Sequence, residues 1–152
     1  MRKSILYILL LAAALLAPLQ GRDVGKLLPV ELVHLYREGE AVVIATDTDA
    51  AGTGVTVEAA FENLQATTAG IVFLDTADYL LVDESAMTDV TALKNHLKPS
   101  VKVCKVVSDV DLKETAAYLS IHKPQARLKD YRNGVDLQEL AVENGQIKLE
   151  EK

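Results

Sequence analysis

The stretch from Gly52 to Val82 restricts the fold more than any other part of the chain. A Gly-rich turn at Gly52–Gly54 is followed by Val57, Ala60, Phe61 and Leu64, spaced at i, i+3, i+4 and i+7. That period puts four apolar side chains on one helical stripe, so the spacing predicts a helix over Thr56–Thr67. Thr56 supplies an N-cap hydroxyl, Glu58 suits the positive end of the helix dipole, and Ala69-Gly70 ends the run. Ile71–Leu74 is then continuously apolar, the pattern of a strand buried on both faces. Asp75-Thr76-Ala77-Asp78 interrupts it before a second apolar run, Tyr79–Val82. A helix placed between such strands calls for an α/β sheet with parallel pairs.

The flanking sequence extends the alternation. Leu32–Arg37 and Ala41–Asp47 are β-branched and aromatic runs joined through Glu38-Gly39-Glu40, a hairpin pattern, and Thr48–Gly54 reads as a polar loop. Asp83 is positioned to cap a helix over Glu84–Leu97, with Ala86, Val90, Leu93 and Leu97 as its stripe. Val101–Val107 is a strand interrupted by Lys102 and Lys105. Asp111 and Glu114 open another helix, with Leu112, Ala116 and Leu119 on one side and Lys123-Pro124 at its end. Ala126–Tyr131 reads as a last main-sheet strand, and Leu137–Val142 and Gln146–Glu150 flank the turn pair Asn144-Gly145. The expected fold is a single α/β domain over residues 31–152. It has a mixed β-sheet, three helices, an N-terminal β-hairpin and a C-terminal β-hairpin. Residues 22–30 are expected to be a linker.

Residues 1–21 are of another kind. Arg2 and Lys3 precede an apolar run from Ile5 to Leu19, broken only by Pro18. A positive start and a short apolar core make an export signal, expected to be cleaved or else kept as an N-terminal anchor. At 15 residues the run is shorter than the roughly 20 that a membrane-spanning helix needs. No Cys follows it to carry a lipid, so no lipid anchor is expected. The single cysteine, Cys104, excludes an intramolecular disulfide. These features fit a bacterial exported protein, secreted or held at the outer face of the cytoplasmic membrane. Residues 22–152 keep 14 Lys and Arg against 22 Asp and Glu, a net charge of −8. That balance argues against nucleic acid and anionic lipid as partners, because both require a basic face.

Asp47 and Asp49 end an apolar strand as D-x-D, a spacing at which two carboxylates can share a divalent cation. The run resembles the T-D-x-D motif of Toprim domains and the D-x-D start of haloacid dehalogenase-like phosphatases. The remaining machinery of either family is missing, and the expected role is a solvated acidic loop whose Asp side chains close turns. The alternative is a metal-dependent hydrolase or phosphatase using Asp47 and Asp49 with Asp75 or Asp78. Asp75 and Asp78 flank a turn whose side chains are expected to bond nearby backbone; the competing role is a ligand rim at strand ends. His34, His96 and His122 are dispersed and Cys104 sits in an apolar strand, so no zinc cluster or activated thiol is expected. No catalytic residue is assigned and no cofactor is expected.

Gly52–Leu128 resembles the N-terminal domain of the C subunit of spore germinant receptors, the Ger(x)C family. The likeness rests on Thr56-Val57-Glu58-Ala59-Ala60-Phe61-Glu62-Asn63-Leu64 against a T-x-x-E-A-x-x-N-L helix shifted by a residue. An apolar strand, an acidic helix start at Asp83, the strand Val101–Val107 and an A-x-x-x-L helix at Ala116–Leu119 follow in the same order. The family is lipid-anchored through a Cys after its signal and continues into further domains, and this sequence has neither feature. The resemblance implies a non-enzymatic binding or assembly module, with integral membrane subunits or another exported protein as partner. It supplies no catalytic residues.

Overall fold

The structure, a computed structural model, describes residues 24–150; the expected export signal at residues 1–21 lies outside the described residues. Seven strands form one mixed sheet. β2 (Leu32–Glu38), β6 (Tyr79–Asp83), β7 (Lys102–Val106) and β8 (Glu139–Glu143) run parallel at its centre. β3 (Ala41–Thr46) and β4 (Ala51–Gly54) extend one side antiparallel, and β9 (Gln146–Leu149) extends the other. Two hairpins therefore frame a parallel centre, as the alternation of strands and helices predicts. In the C-terminal turn, Asn144 (φ 52°) and Gly145 (φ 76°) both take the left-handed conformation that a two-residue hairpin requires.

Side chains alternate between two buried faces. Val33, Leu35, Leu80, Val82 and Val103 point to one face and pack on Val57, Ala60, Phe61 and Leu64 of α1 (Val57–Thr67). Ala86, Val90, Leu93 and Leu97 join the same core. Leu32, Tyr79, Leu81 and Cys104 point to the other face and meet Ala116 and Leu119 of α3 (Leu112–Ile121). Both long helices start as their sequences dictate. Thr56 Oγ1 accepts from Ala59 N–H at 3.2 Å, and Asp111 Oδ1 accepts from Glu114 N–H at 2.9 Å.

Several local expectations are corrected. Residues 51–54 are a strand rather than loop, because Gly52 and Gly54 let the α1 backbone approach too closely for any side chain. A Cβ at Gly52 would overlap the backbone of Ala60 and Leu64. α1 also covers the outer edge of β4: Thr53 N–H donates to Asn63 Oδ1 at 3.0 Å. Leu27–Pro29, expected as linker, is a strand (β1) paired in parallel with β5 (Ile71–Phe73), so β5 lies in a small second sheet instead of the main one. Glu84–Leu97 is not one helix. Glu84–Asp89 is 3₁₀ and only Val90–Leu93 (α2) is α-helical, although the predicted stripe is buried. Ala126–Tyr131 contributes a single antiparallel bridge, Lys102 to Arg127, followed by a 3₁₀ turn at Leu128–Asp130.

Candidate functional site

α3 lies on the second face of the sheet, and its side chains reach out on both sides. Lys113 Nζ near its start lies 2.5 Å from Asp49 in the β3–β4 turn, and Tyr118 OH accepts from Leu149 N–H of β9 at 3.0 Å. The helix covers the first residues of β2 and β6. The later residues on that face, His34, Tyr36 and Glu38 of β2 and Asp83 of β6, open into a cleft of about 780 Å³. The segment from Val107 to Leu112, between β7 and α3, forms its opposite wall. This is the carboxyl end of the parallel strands, where open α/β sheets hold ligands, and the volume is within the usual range for ligand sites.

Three polar groups organise the cleft. His34 Nε2 is 2.8 Å from Asp83 Oδ1, and the His34 ring is tilted against Tyr36 with centroids 4.8 Å apart. With Nε2–H donating to Asp83, Nδ1 is an acceptor without a hydrogen-bond partner among the described residues. Lys105 Nζ bridges Glu84 Oε2 at 3.1 Å and Glu139 Oε1 at 3.4 Å. The bond to Glu84, more than that to Glu139, raises its ammonium above the ordinary lysine value against opposing desolvation. The Tyr36 phenol is also pushed up, chiefly by burial and then by the negative charges of Glu38 and Asp83. Ser85 Oγ accepts from Arg37 N–H at 3.2 Å and Ser108 Oγ from Val142 N–H at 2.8 Å, and neither hydrogen-bonds His34. Behind this wall, Arg37 grips Asp89 through Nε at 2.7 Å and Nη2 at 2.8 Å, fixing the chain that leaves β6.

The carboxylates singled out from sequence have separate engagements. Asp47 accepts from Glu31 N–H through both oxygens at 3.2 and 3.3 Å and from Leu32 N–H at 3.2 Å, so it caps the start of β2. Asp49, at φ 62°, pairs with Lys113. Asp78 pairs with Lys98 at 3.2 Å, and Asp75 is exposed with no side-chain partner among the described residues. Among the described residues no group of three or more His, Cys, Asp or Glu is arranged to hold a metal ion. Of the side chains in that turn only Thr76 bonds backbone among the described residues, donating locally to Phe73 O at 2.8 Å and accepting from Val30 N–H, 46 residues away, at 3.0 Å; against expectation, Asp75 and Asp78 make no backbone bond. Asp83 makes no helix-capping bond, because its carboxylate is turned to His34. Cys104 is fully buried, and burial pushes its thiol up to about 12.

Sequence reasoning did not bring His34, Tyr36, Asp83 and Lys105 together. One local signal for them exists: His34, Tyr36 and Glu38 are polar at every second position of a strand whose intervening residues Val33 and Leu35 are apolar, which places all three on one face. No helix among the described residues is long and apolar enough to cross a membrane. No family model, characterised protein or solved structure matches the chain.

Proposed function

We propose that the protein is a non-enzymatic binding or assembly module working outside the cytoplasmic membrane, with the strand-end cleft as its seat. The observation that carries this reading is how the cleft's reactive groups are engaged. His34 is held by Asp83, Lys105 by two glutamates, and each serine oxygen by a backbone N–H. Nucleophilic catalysis needs a hydroxyl or thiol within hydrogen-bond reach of its base, and the cleft offers His34 no such neighbour. The hydrolase alternative draws no support from Asp47, whose carboxylate is occupied by the backbone of Glu31 and Leu32. Action outside the membrane rests on Arg2, Lys3 and the apolar run Ile5–Leu19. Association with the integral membrane subunits of a spore germination receptor rests on the resemblance of Gly52–Leu128 to the Ger(x)C first domain.

A photo-crosslinking amino acid placed at Val107, beside the cleft, tests the reading against the same group at Val55, which is exposed but does not line it. The expected result is one discrete crosslinked partner from Val107 in the exported or membrane fraction of the native cell, and none from Val55. Turnover of a phosphomonoester or ester substrate that disappears with Asp83→Asn would replace the binding reading with an enzymatic one.

A further inference from the structure

An excess of 22 Asp and Glu over 14 Lys and Arg in residues 22–152 counts against an anionic partner only if the charge is spread evenly, and in the fold it is not. Residues 94–132 carry nine Lys and Arg against four Asp and Glu. Six of those cations, Lys94, Lys102, Lys123, Arg127, Lys129 and Arg132, have no carboxylate partner among the described residues. Arg37, Lys98, Lys105, Lys113 and Lys148 each have one. A chain with acids to spare thus leaves a group of cations unpaired.

They gather at the amino end of β7. The chain from Gln125 to Arg132 crosses that end: Arg127 bridges Lys102, Lys129 N–H donates to Pro99 O at 3.0 Å, and Lys94 Nζ donates to Tyr131 O at 2.8 Å, next to Arg132. Lys102 is level with Tyr79 and Leu32 across the sheet, so its side chain and that of Arg127 lie on the α3 face. On the side of the other core, Lys94 and Lys129 line a hollow of about 180 Å³ with Pro99 and Leu128. Asp130 belongs to the same strip, and Asp78 beside it is taken by Lys98.

A second observation is independent of charge. α3 ends at this margin in Ile121, which is 77% exposed and stands two residues before Lys123. Gln125 O, just beyond, lies 3.5 Å from Lys102 Nζ. A bare aliphatic side chain among cations suits a lipid interface, where the carbon enters below the headgroups and the cations stay with the phosphates. The cations occupy both faces of one sheet end, so a broad anionic surface met end-on reaches more of them than a peptide lying in a groove. Glu38 and Asp83, at the carboxyl ends of the strands, oppose this little, because β2 holds them roughly 20 Å away, about two Debye lengths at 0.1 M salt. The chain that follows the apolar run Ile5–Leu19 also enters here, since β1 leads through Val30 and Glu31 into the amino end of β2.

We infer that the amino end of the sheet rests on a membrane surface rich in anionic phospholipid. Ile121 enters the interface, Lys102, Lys123, Arg127 and Lys129 meet lipid phosphates, and the cleft at the carboxyl ends of the strands faces away from the bilayer. This shares with the proposed function only the location outside the cytoplasmic membrane and does not need the cleft to be a binding seat.

The test uses the full chain with an environment-sensitive fluorophore on Ile121→Cys or, at the opposite end of the sheet, on Val55→Cys; the native Cys104 is buried and escapes labelling. Vesicles are phosphatidylcholine alone or mixed with phosphatidylglycerol. The Ile121 probe is expected to shift to the blue only with phosphatidylglycerol and to return in high salt, while the Val55 probe stays unmoved. Arg127→Gln and Lys129→Gln should each lower the ratio of shifted to unshifted probe about fivefold, and together about twenty-five-fold, with the urea midpoint near wild type. Lys148→Gln, in the C-terminal hairpin, should leave the ratio unchanged. Equal shifts in both lipids, or a shift that survives Arg127→Gln combined with Lys129→Gln, would mean that apolar contact alone brings the chain to lipid and would overturn the inference. A probe unmoved by either vesicle would overturn it too, and one moved instead by polyglutamate would reassign the margin to an acidic protein partner. None of these outcomes bears on the cleft, whose crosslink from Val107 is read separately.

Discussion

Replacing Gly52 by Ala should destabilise the protein through α1, although the backbone angle at this position is ordinary for any residue. The cause is space. A Cβ here would overlap the carbonyl of Ala60 and the backbone of Leu64, and neither can swing aside as a side-chain tip can. Helix and strand must separate, loosening Ala60 and Leu64, both fully buried. Overpacking of this kind costs about 1–3 kcal/mol, while the lost freedom of the unfolded chain returns about 0.4–1 kcal/mol. A net loss of about 1–2 kcal/mol is expected, read as a lower urea midpoint at unchanged slope. Gly54→Ala meets the same helix one turn earlier, with a Cβ 2.5 Å from Ala60 N and 2.6 Å from Ala59 C. One outward shift of α1 relieves both, so the double variant should lose less than the two single losses together, by about 1 kcal/mol. Gly39 provides the contrast: at φ 62° with nothing near its Cβ direction it should accept Asn, which tolerates that conformation, whereas Gly52→Asn should be worse than Gly52→Ala. A Gly52→Ala protein within about 0.5 kcal/mol of wild type, or additive losses in the double variant, would refute the rigid helix–strand contact.

Two further outcomes follow from single side chains. The buried Cys104 thiol keeps its proton to about pH 12, while the unfolded chain releases it near 9.0. The contribution is therefore whole below pH 9 and lost as pH rises toward 12, so at about pH 10.5 wild type should have lost about 2 kcal/mol more of its neutral-pH stability than Cys104→Ala has lost of its own. Parallel pH profiles of the two proteins in urea melts would rule this out. Asp47→Asn weakens the acceptor for Glu31 and Leu32 N–H and should cost about 1–2 kcal/mol without any Mg²⁺ in solution. A melting temperature of wild type that rises with Mg²⁺ or Mn²⁺, and ceases to do so in Asp47→Asn, would restore the metal reading of the D-x-D pair.

The parts of the fold that sequence revealed are those whose cause is local. The stripe Val57, Ala60, Phe61, Leu64 and its cap Thr56 lie within one helix, and Asn144-Gly145 defines its own turn. The misread parts have their cause elsewhere in the chain. β4 looks like loop because what makes Ala51–Gly54 a strand is partly the helix lying on it, including Asn63 satisfying Thr53 N–H ten residues away. β1 has three residues ending in Pro29, too little for a strand signal, and exists through its pairing with Ile71–Phe73. Over Glu84–Leu97 the apolar spacing is right about burial and wrong about helix type, because spacings of three and four serve a 3₁₀ turn and an α-turn alike.

The cleft depends on a competition that a local rule decides wrongly. Asp83 stands where a helix cap belongs, and a cap bond would be worth about 1 kcal/mol. In the fold it meets His34, 49 residues earlier in the chain, because β2 and β6 pair in parallel with His34 opposite Leu81. A charge-assisted bond to a largely buried imidazole outweighs the cap, and the chain after β6 tightens into 3₁₀ geometry without it. The same pairing gives meaning to the polar alternation His34, Tyr36, Glu38. On an edge strand it would be an ordinary solvated face. On β2, flanked by β3 and β6, it shows that the covering helix stops short of the strand ends and leaves a hollow there. Polar residues at every second position of a central strand are therefore the feature from which this site can be read, once the strand order is known.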